Sequence, residues 1–140
     1  YDLRELLESY AVRIAIDKML KKDIAYLEDL HRKMIKAAQD KDTQSWLHNN
    51  ALFHGFFRDK ADSESLSQLI VMLKRQIYRY QYMSVGYPRF FETYIEHHAS
   101  LIEACKKKDA ASAEKTMKIH MRKVRDIIAD SLTTGTDRLI

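Results

Sequence analysis

The sequence predicts an all-α fold, an antiparallel bundle of about six helices around a polar central pocket. Three observations carry this. The 140 residues hold only three Gly and one Pro, so the punctuation that many short strands and tight turns need is missing. Apolar residues recur at spacings of three and four over long stretches, the period of one helix face. The links between those stretches are short and polar, which favours antiparallel neighbours.

The first helix, about residues 2–19, carries Leu3, Leu6, Leu7, Tyr10, Ile14 and Met19 as its stripe. Lys21 and Lys22 mark a short break, and Asp23 suits the cap or the first turn of the next helix. That second helix runs to about Ala38 through Ile24, Leu27, Leu30, Met34 and Ile35. Gln39 to Thr43 is a polar turn, followed by a third amphipathic stretch of Trp46, Leu47, Asn50, Phe53, His54 and Phe57. Asp62 and Ser63 are capping types that open a fourth helix through Leu66, Leu69, Ile70, Leu73, Ile77 and Tyr80. Gly86-Tyr87-Pro88 is the strongest break in the chain. A fifth helix carries Phe91, Tyr94, His98, Leu101, Ile102 and Cys105 on one side. Asp109 caps the sixth, whose stripe is Ala113, Met117, His120, Val124, Ile127 and Ile128. Thr133 to Thr136 reads as a frayed end, so the folded domain is set at 1–132 with a tail at 133–140.

Charge and composition narrow the function. The net charge of +4 sits mostly in the last third, from Lys106 to Arg125. No zinc-finger spacing or aromatic-basic RNA motif accompanies these cations, so a solvated helix face explains them better than a nucleic-acid surface. No apolar run approaches the roughly 18 residues of a membrane span. The lone Cys105 rules out an internal disulfide framework and suits a reducing cytoplasm; its stripe position makes it a small core hydrophobe.

The histidines are the informative residues. His54, His98 and His120 each interrupt the apolar stripe of a different helix. Burying an unpaired polar group costs roughly 1–3 kcal/mol, so each needs a partner. A metal ion satisfies all three at once, because imidazole nitrogen is a common ligand for later transition metals. Asn50 stands one turn before His54 on the same face and can add a side-chain oxygen. One divalent ion on His54, His98 and His120 is expected, with Asn50 as a weaker fourth ligand or joined through water, and with zinc or nickel favoured over magnesium. His31 and His48 are expected at the surface, and His97 beside the site or exposed.

Four segments in order also carry a resemblance. Leu3-Arg4-Glu5-Leu6-Leu7-Glu8 holds an Arg with Glu four residues on. Asn50-Ala51-Leu52-Phe53-His54 is similar to an acidic-x-x-Phe-His segment. His98, with Ala104 six residues on and Asp109 five beyond, matches a Glu-His segment and its trailing Ala and Asp. His120-Met121 falls at a His-Leu position. Together these resemble the FCD domain, the C-terminal effector-binding domain of FadR-type GntR transcriptional regulators. Two positions depart from the pattern: Asn50 stands for Asp, and His97 for Glu.

The resemblance implies a bundle whose core holds a divalent metal on one acidic residue and three His. It implies a small carboxylate bound at or beside that metal, a homodimer, and a winged helix-turn-helix N-terminal to this chain that contacts DNA. Arg4, Arg79 and Tyr82 are candidates for the effector, since guanidinium matches a carboxylate bidentately. Arg4 reads equally as the i,i+4 partner of Glu8. The acid stays open among lactate, citrate-like di- and tricarboxylates, sugar acids and amino acids. Exposed apolar positions on the first and fourth helices are candidates for the dimer contact. Two other classes compete: a metal-dependent enzyme, for which no HExxH segment supplies a base, and a purely structural dimerisation bundle.

Overall fold

The computed structural model describes residues 1–84 and 90–136. Six helices account for almost all of them: α1 (Asp2–Ile16), α2 (Lys21–Gln39), α3 (Thr43–Lys60), α4 (Glu64–Ser84), α5 (Phe90–Lys106) and α6 (Ala110–Thr136). The break between α1 and α2 falls at residues 17–20, earlier than predicted, and Lys21 and Lys22 are the first residues of α2. Asp23 explains the start there. Its carboxylate accepts the Leu20 N–H at 2.7 Å, one of the donors a helix leaves orphaned at its N-terminus. Asp42 does the same at α3 for Ser45 N–H at 3.0 Å, and Asp109 at α6 for Ser112 N–H at 3.0 Å. The break at Gly86-Tyr87-Pro88 lies outside the described residues, as does the tail from 137. Thr133 to Thr136 continue α6 where a frayed end was expected.

Three helices end in a left-handed residue that is not Gly: α2 in Lys41, α3 in Asp62 (φ 56°) and α5 in Lys108. Lys41 (φ 56°) and Lys108 (φ 54°) follow α2 and α5, and the chain closes back through Asp42 N–H to Ala37 O at 2.8 Å and Asp109 N–H to Ala104 O at 3.0 Å. Lys108 is held there by its ammonium, which donates to the carbonyls of Ile16 and Met19 at the end of α1. Lys41 is exposed and has no such anchor. Lys41→Gly is therefore expected to stabilise the domain by roughly 0.5–1 kcal/mol, seen as a higher urea midpoint at unchanged slope.

The helices pair as two hairpins, α2 with α3 and α5 with α6, and α1 lies along α6. Ion pairs Arg13–Glu114, Glu5–Arg122 and Asp2–Arg125 step in opposite directions along α1 and α6, so the two run antiparallel. These pairs, with Lys118–Glu114 and Lys106 on Glu28 and Glu103, occupy much of the basic stretch noted in the sequence. The main core gathers Trp46, Phe53, Phe57, Tyr94, Leu101, Met117 and Met121, and buries Cys105 as expected. Burial pushes the Cys105 thiol up to about 12. A smaller cluster of Ala11, Ala61, Leu66 and Ile70 seats α4 on α1.

The stripe predicted for α1 is mostly wrong. Leu3, Leu6 and Tyr10 are 61%, 58% and 53% exposed, and the buried face is Arg4, Glu8, Ala11, Val12, Ala15 and Ile16. The reason is the polar pocket: α1 turns its charged face inward to meet it and leaves its most apolar face outside. Leu69 of α4 is likewise exposed, and among its described residues α4 buries only Leu66 and Ile70 deeply.

Candidate metal centre

Each predicted ligand is set among apolar residues that fix its direction. On α3 the buried Trp46, Phe53 and Phe57 turn inward the face that carries Asn50 and His54. On α5 the buried Tyr94 and Leu101 stand one turn either side of His98, and on α6 Met117 and Val124 do the same for His120. The result is one cluster from three helices. His54, His98 and His120 are buried, and a ring nitrogen of each lies within 4.8 Å of the other two. Ring centroids are 4.9 Å apart for His98 and His120, 5.1 Å for His54 and His120, and 5.4 Å for His54 and His98. Among the described residues this is the one group of three metal-ligating side chains so placed.

His54 has a partner from α1. Its Nδ1–H donates to Glu8 Oε2 at 3.0 Å, and Arg4 Nε donates to Glu8 Oε1 at 2.7 Å. An ionised carboxylate only accepts, so the proton sits on Nδ1 and Nε2 of His54 presents its lone pair. Burial alone would raise the Glu8 carboxyl. The Arg4 guanidinium, then the His54 hydrogen bond, outweigh it and hold Glu8 well below the usual carboxylate range. For His54 the balance falls the other way: burial outweighs the pull of Glu8 and the ring stays below its ordinary value. The Glu8–His54 contact is therefore a carboxylate on a neutral imidazole, with Arg4 supplying the counter-charge.

The other polar atoms of the cluster lack such partners. Both ring nitrogens of His98, Nδ1 of His120, Oδ1 of Asn50 and Nη1 of Arg4 are buried without a hydrogen bond among the described residues. Burial first, then the neighbouring histidines, pushes His98 and His120 well below the histidine range. Neutral imidazoles with free lone pairs and an amide oxygen are donors suited to a divalent transition metal. A lone orphan of this kind costs about 1–3 kcal/mol, so those of Asn50, His98 and His120, facing one another from three helices, fit a shared cationic ligand and do not fit an empty apolar core. Arrangement and donor chemistry are those of a group that could hold a metal ion.

Sequence comparison matches a family model of the FCD domain over residues 1–123. The chain belongs to the FCD domain family. A search of curated proteins finds no match. Among solved structures, E. coli McbR/YncC superposes with a TM-score of 0.84 at 23% identity over 92% of this chain. The match covers 65% of McbR/YncC, so this chain spans under two thirds of that protein's length. Membership makes the chain an effector-binding regulatory domain and not an enzyme. Among the described residues, no helix is long and apolar enough to cross a membrane.

Not all predicted site residues of this FCD domain meet. Arg4 is in the site, as the buried partner of Glu8. Arg79 is exposed and donates to the hydroxyl of its neighbour Tyr80 at 2.7 Å. Tyr82 is 62% exposed and lines an open surface groove with Tyr78, Leu47 and His48. Neither joins the histidines. His48 is exposed as expected, but His31 ties α2 to α5 through Ile95 O at 3.0 Å. His97 is half-buried, its ring 5.6 Å from His120. Three contributors escaped the sequence reading: Glu8 as the partner of His54, Tyr94 with its ring 5.1 Å from His120, and Lys74 of α4, whose charge acts on Glu8 and Arg4. The alternation Arg4, Glu8, Ala11, Ala15 was the signal available for Glu8, since charged residues at i and i+4 beside small ones mark a face that something polar must meet.

Proposed function

We propose that this FCD domain is the sensing half of a cytoplasmic GntR-type regulator of the FadR subfamily. It binds a divalent metal, zinc or nickel, through His54, His98 and His120 with Asn50, and a small carboxylate at that metal. Arg4 stands at the pocket wall as counter-charge. A winged helix-turn-helix outside this chain binds DNA, and effector binding changes DNA affinity through contacts that differ between two states. The observation that carries this reading is the convergence of three buried imidazoles, with both ring nitrogens of His98 and Nδ1 of His120 left without a hydrogen bond among the described residues.

Four side chains share the work. His54, His98 and His120 offer nitrogens from three helices, and Asn50 offers a neutral oxygen where an Asp would bring a charge. A bound divalent ion supplies positive charge with coordination positions left for a carboxylate oxygen. Glu8 fixes the tautomer and orientation of His54, and outer-shell partners of this kind are worth 10–100-fold in metal affinity. Glu8→Gln is thus expected to weaken zinc binding by about that factor in competition with a chromophoric chelator. The same hydrogen bond joins the pocket to α1, the first helix of the chain, which gives ligand occupancy a route to the exposed Leu3, Leu6 and Tyr10 face. That face, with Leu69 and Met72 on the adjoining α4, supports association with a second copy of the chain. Light scattering at micromolar concentration should give a dimer.

The test of function is calorimetry of metal-loaded and metal-stripped domain against a panel of small organic acids. Binding to the loaded form alone, lost in His98→Ala, is the expected result. Acid binding that is indifferent to metal and to His98 would contradict the metal-centred mechanism.

A further inference from the structure

The clustered histidines are sealed from solvent: His54, His98 and His120 are 7%, 1% and 3% exposed. A divalent ion reaching them has to leave water, and shedding its whole hydration shell before meeting a protein donor is costly. A donor at the boundary lowers that barrier, because it replaces one water while the ion still keeps the others. Imidazole suits the task, being the commonest side-chain ligand for such ions.

Three observations single out His97, which stands where the FCD pattern has Glu. It is half-buried, so its ring spans the boundary between solvent and core. That ring meets His120 edge-on, with centroids 5.6 Å apart and planes at 86°. Its Nδ1 is buried without a hydrogen bond among the described residues, and Nδ1 of His120 is in the same condition. Yet His97 lies outside the group whose donor atoms all come within 4.8 Å of one another. It adjoins the centre and is not part of it. His31, the other half-buried histidine, differs, since one of its ring nitrogens is engaged by the Ile95 carbonyl at 3.0 Å.

We propose that His97 is the entry ligand for the metal. Its imidazole replaces one water of a hydrated divalent ion at the protein boundary and delivers the ion to His120, whose ring it touches. His97 then leaves the ion as His54, His98 and His120 complete the resident set. A ligand that lowers the barrier between bound and free ion does so in both directions, so His97 sets rates and leaves affinity alone.

This inference rests on the metal-binding reading above. The experiment is stopped-flow mixing of the metal-stripped domain with cobalt(II), followed by the visible absorption of the coordinated ion, and release of bound cobalt into excess chelator. His97→Ala and His97→Phe are both expected to slow uptake and release by tenfold or more, with the dissociation constant kept within about twofold. The pair separates coordination from steric gating, because Ala opens the path and Phe keeps it filled. His31→Ala should leave both rates unchanged. Uptake in His97→Ala as fast as in the wild type, or faster, would overturn the proposal. So would faster release with weakened affinity, which would make His97 a resident ligand. Either result leaves the metal site in place, whereas a wild-type domain that takes up no cobalt would overturn both readings.

Discussion

Zinc added to the metal-stripped domain is expected to raise its melting temperature by roughly 10–15 °C once free zinc exceeds its dissociation constant a thousandfold. Mass action gives about 4 kcal/mol at that ratio, and a domain of this size shifts by a few degrees per kcal/mol. The gain comes from the four side chains with orphaned or free donor atoms, His54, His98, His120 and Asn50. His98→Ala removes the ligand whose two nitrogens are both unpaired, and should reduce the zinc-induced shift to a few degrees or less. The metal-free melting temperature of that variant is not the readout, because deleting an orphaned imidazole and opening a cavity act in opposite directions. His120→Ala gives a second variant with the same expectation. A full shift in both variants would mean that zinc acts elsewhere.

Without metal, the same histidines make the fold sensitive to acid. Burial holds His98 and His120 well below the ordinary range and His54 below it. The unfolded chain titrates them near 6.5. Above that pH both states keep the rings neutral and the full stability is present. As pH falls below it, the unfolded state takes up protons that the native core refuses, so stability drops by about 1.4 kcal/mol per pH unit for each ring. Two deeply shifted rings give close to 3 kcal/mol per unit, against a total of about 5–15 kcal/mol for a typical domain. Glu8, held low by Arg4, adds loss of the same sign only below about pH 4.3, where its unfolded carboxyl protonates. Urea titrations of the stripped domain between pH 7 and 5 should show this slope, and His98→Leu with His120→Leu should flatten it. No change in stability across that interval would show that these rings are not buried neutral.

The architecture was legible because helix faces that bury only apolar groups announce themselves by period. Helices α2, α5 and α6 follow their predicted stripes, with Leu27, Leu30, Met34, Leu101, Met117 and Val124 all buried. The three clustered histidines were legible for the same reason, as imidazoles standing where those stripes required Leu. Periodicity failed on α1. Choosing the most apolar face is a sound rule when the facing surface is apolar. Here the facing surface is His54, and the helix meets it with Glu8 and Arg4 while Leu3 and Leu6 stay outside. Lys74 and Arg79 show a second limit. Both are cations on α4, five residues apart, and only tertiary contact decides that Lys74 turns inward while Arg79 stacks on Tyr80.

The most direct test of the central claim is X-ray absorption at the zinc edge of the loaded, dialysed domain, with zinc content measured on the same sample. The account predicts one ion per chain and a first shell with three imidazole nitrogens at about 2.0–2.1 Å, imidazole scattering falling by one ring in His98→Ala. A domain that retains no zinc, or one whose zinc shows an oxygen-only shell unchanged by that substitution, would contradict it.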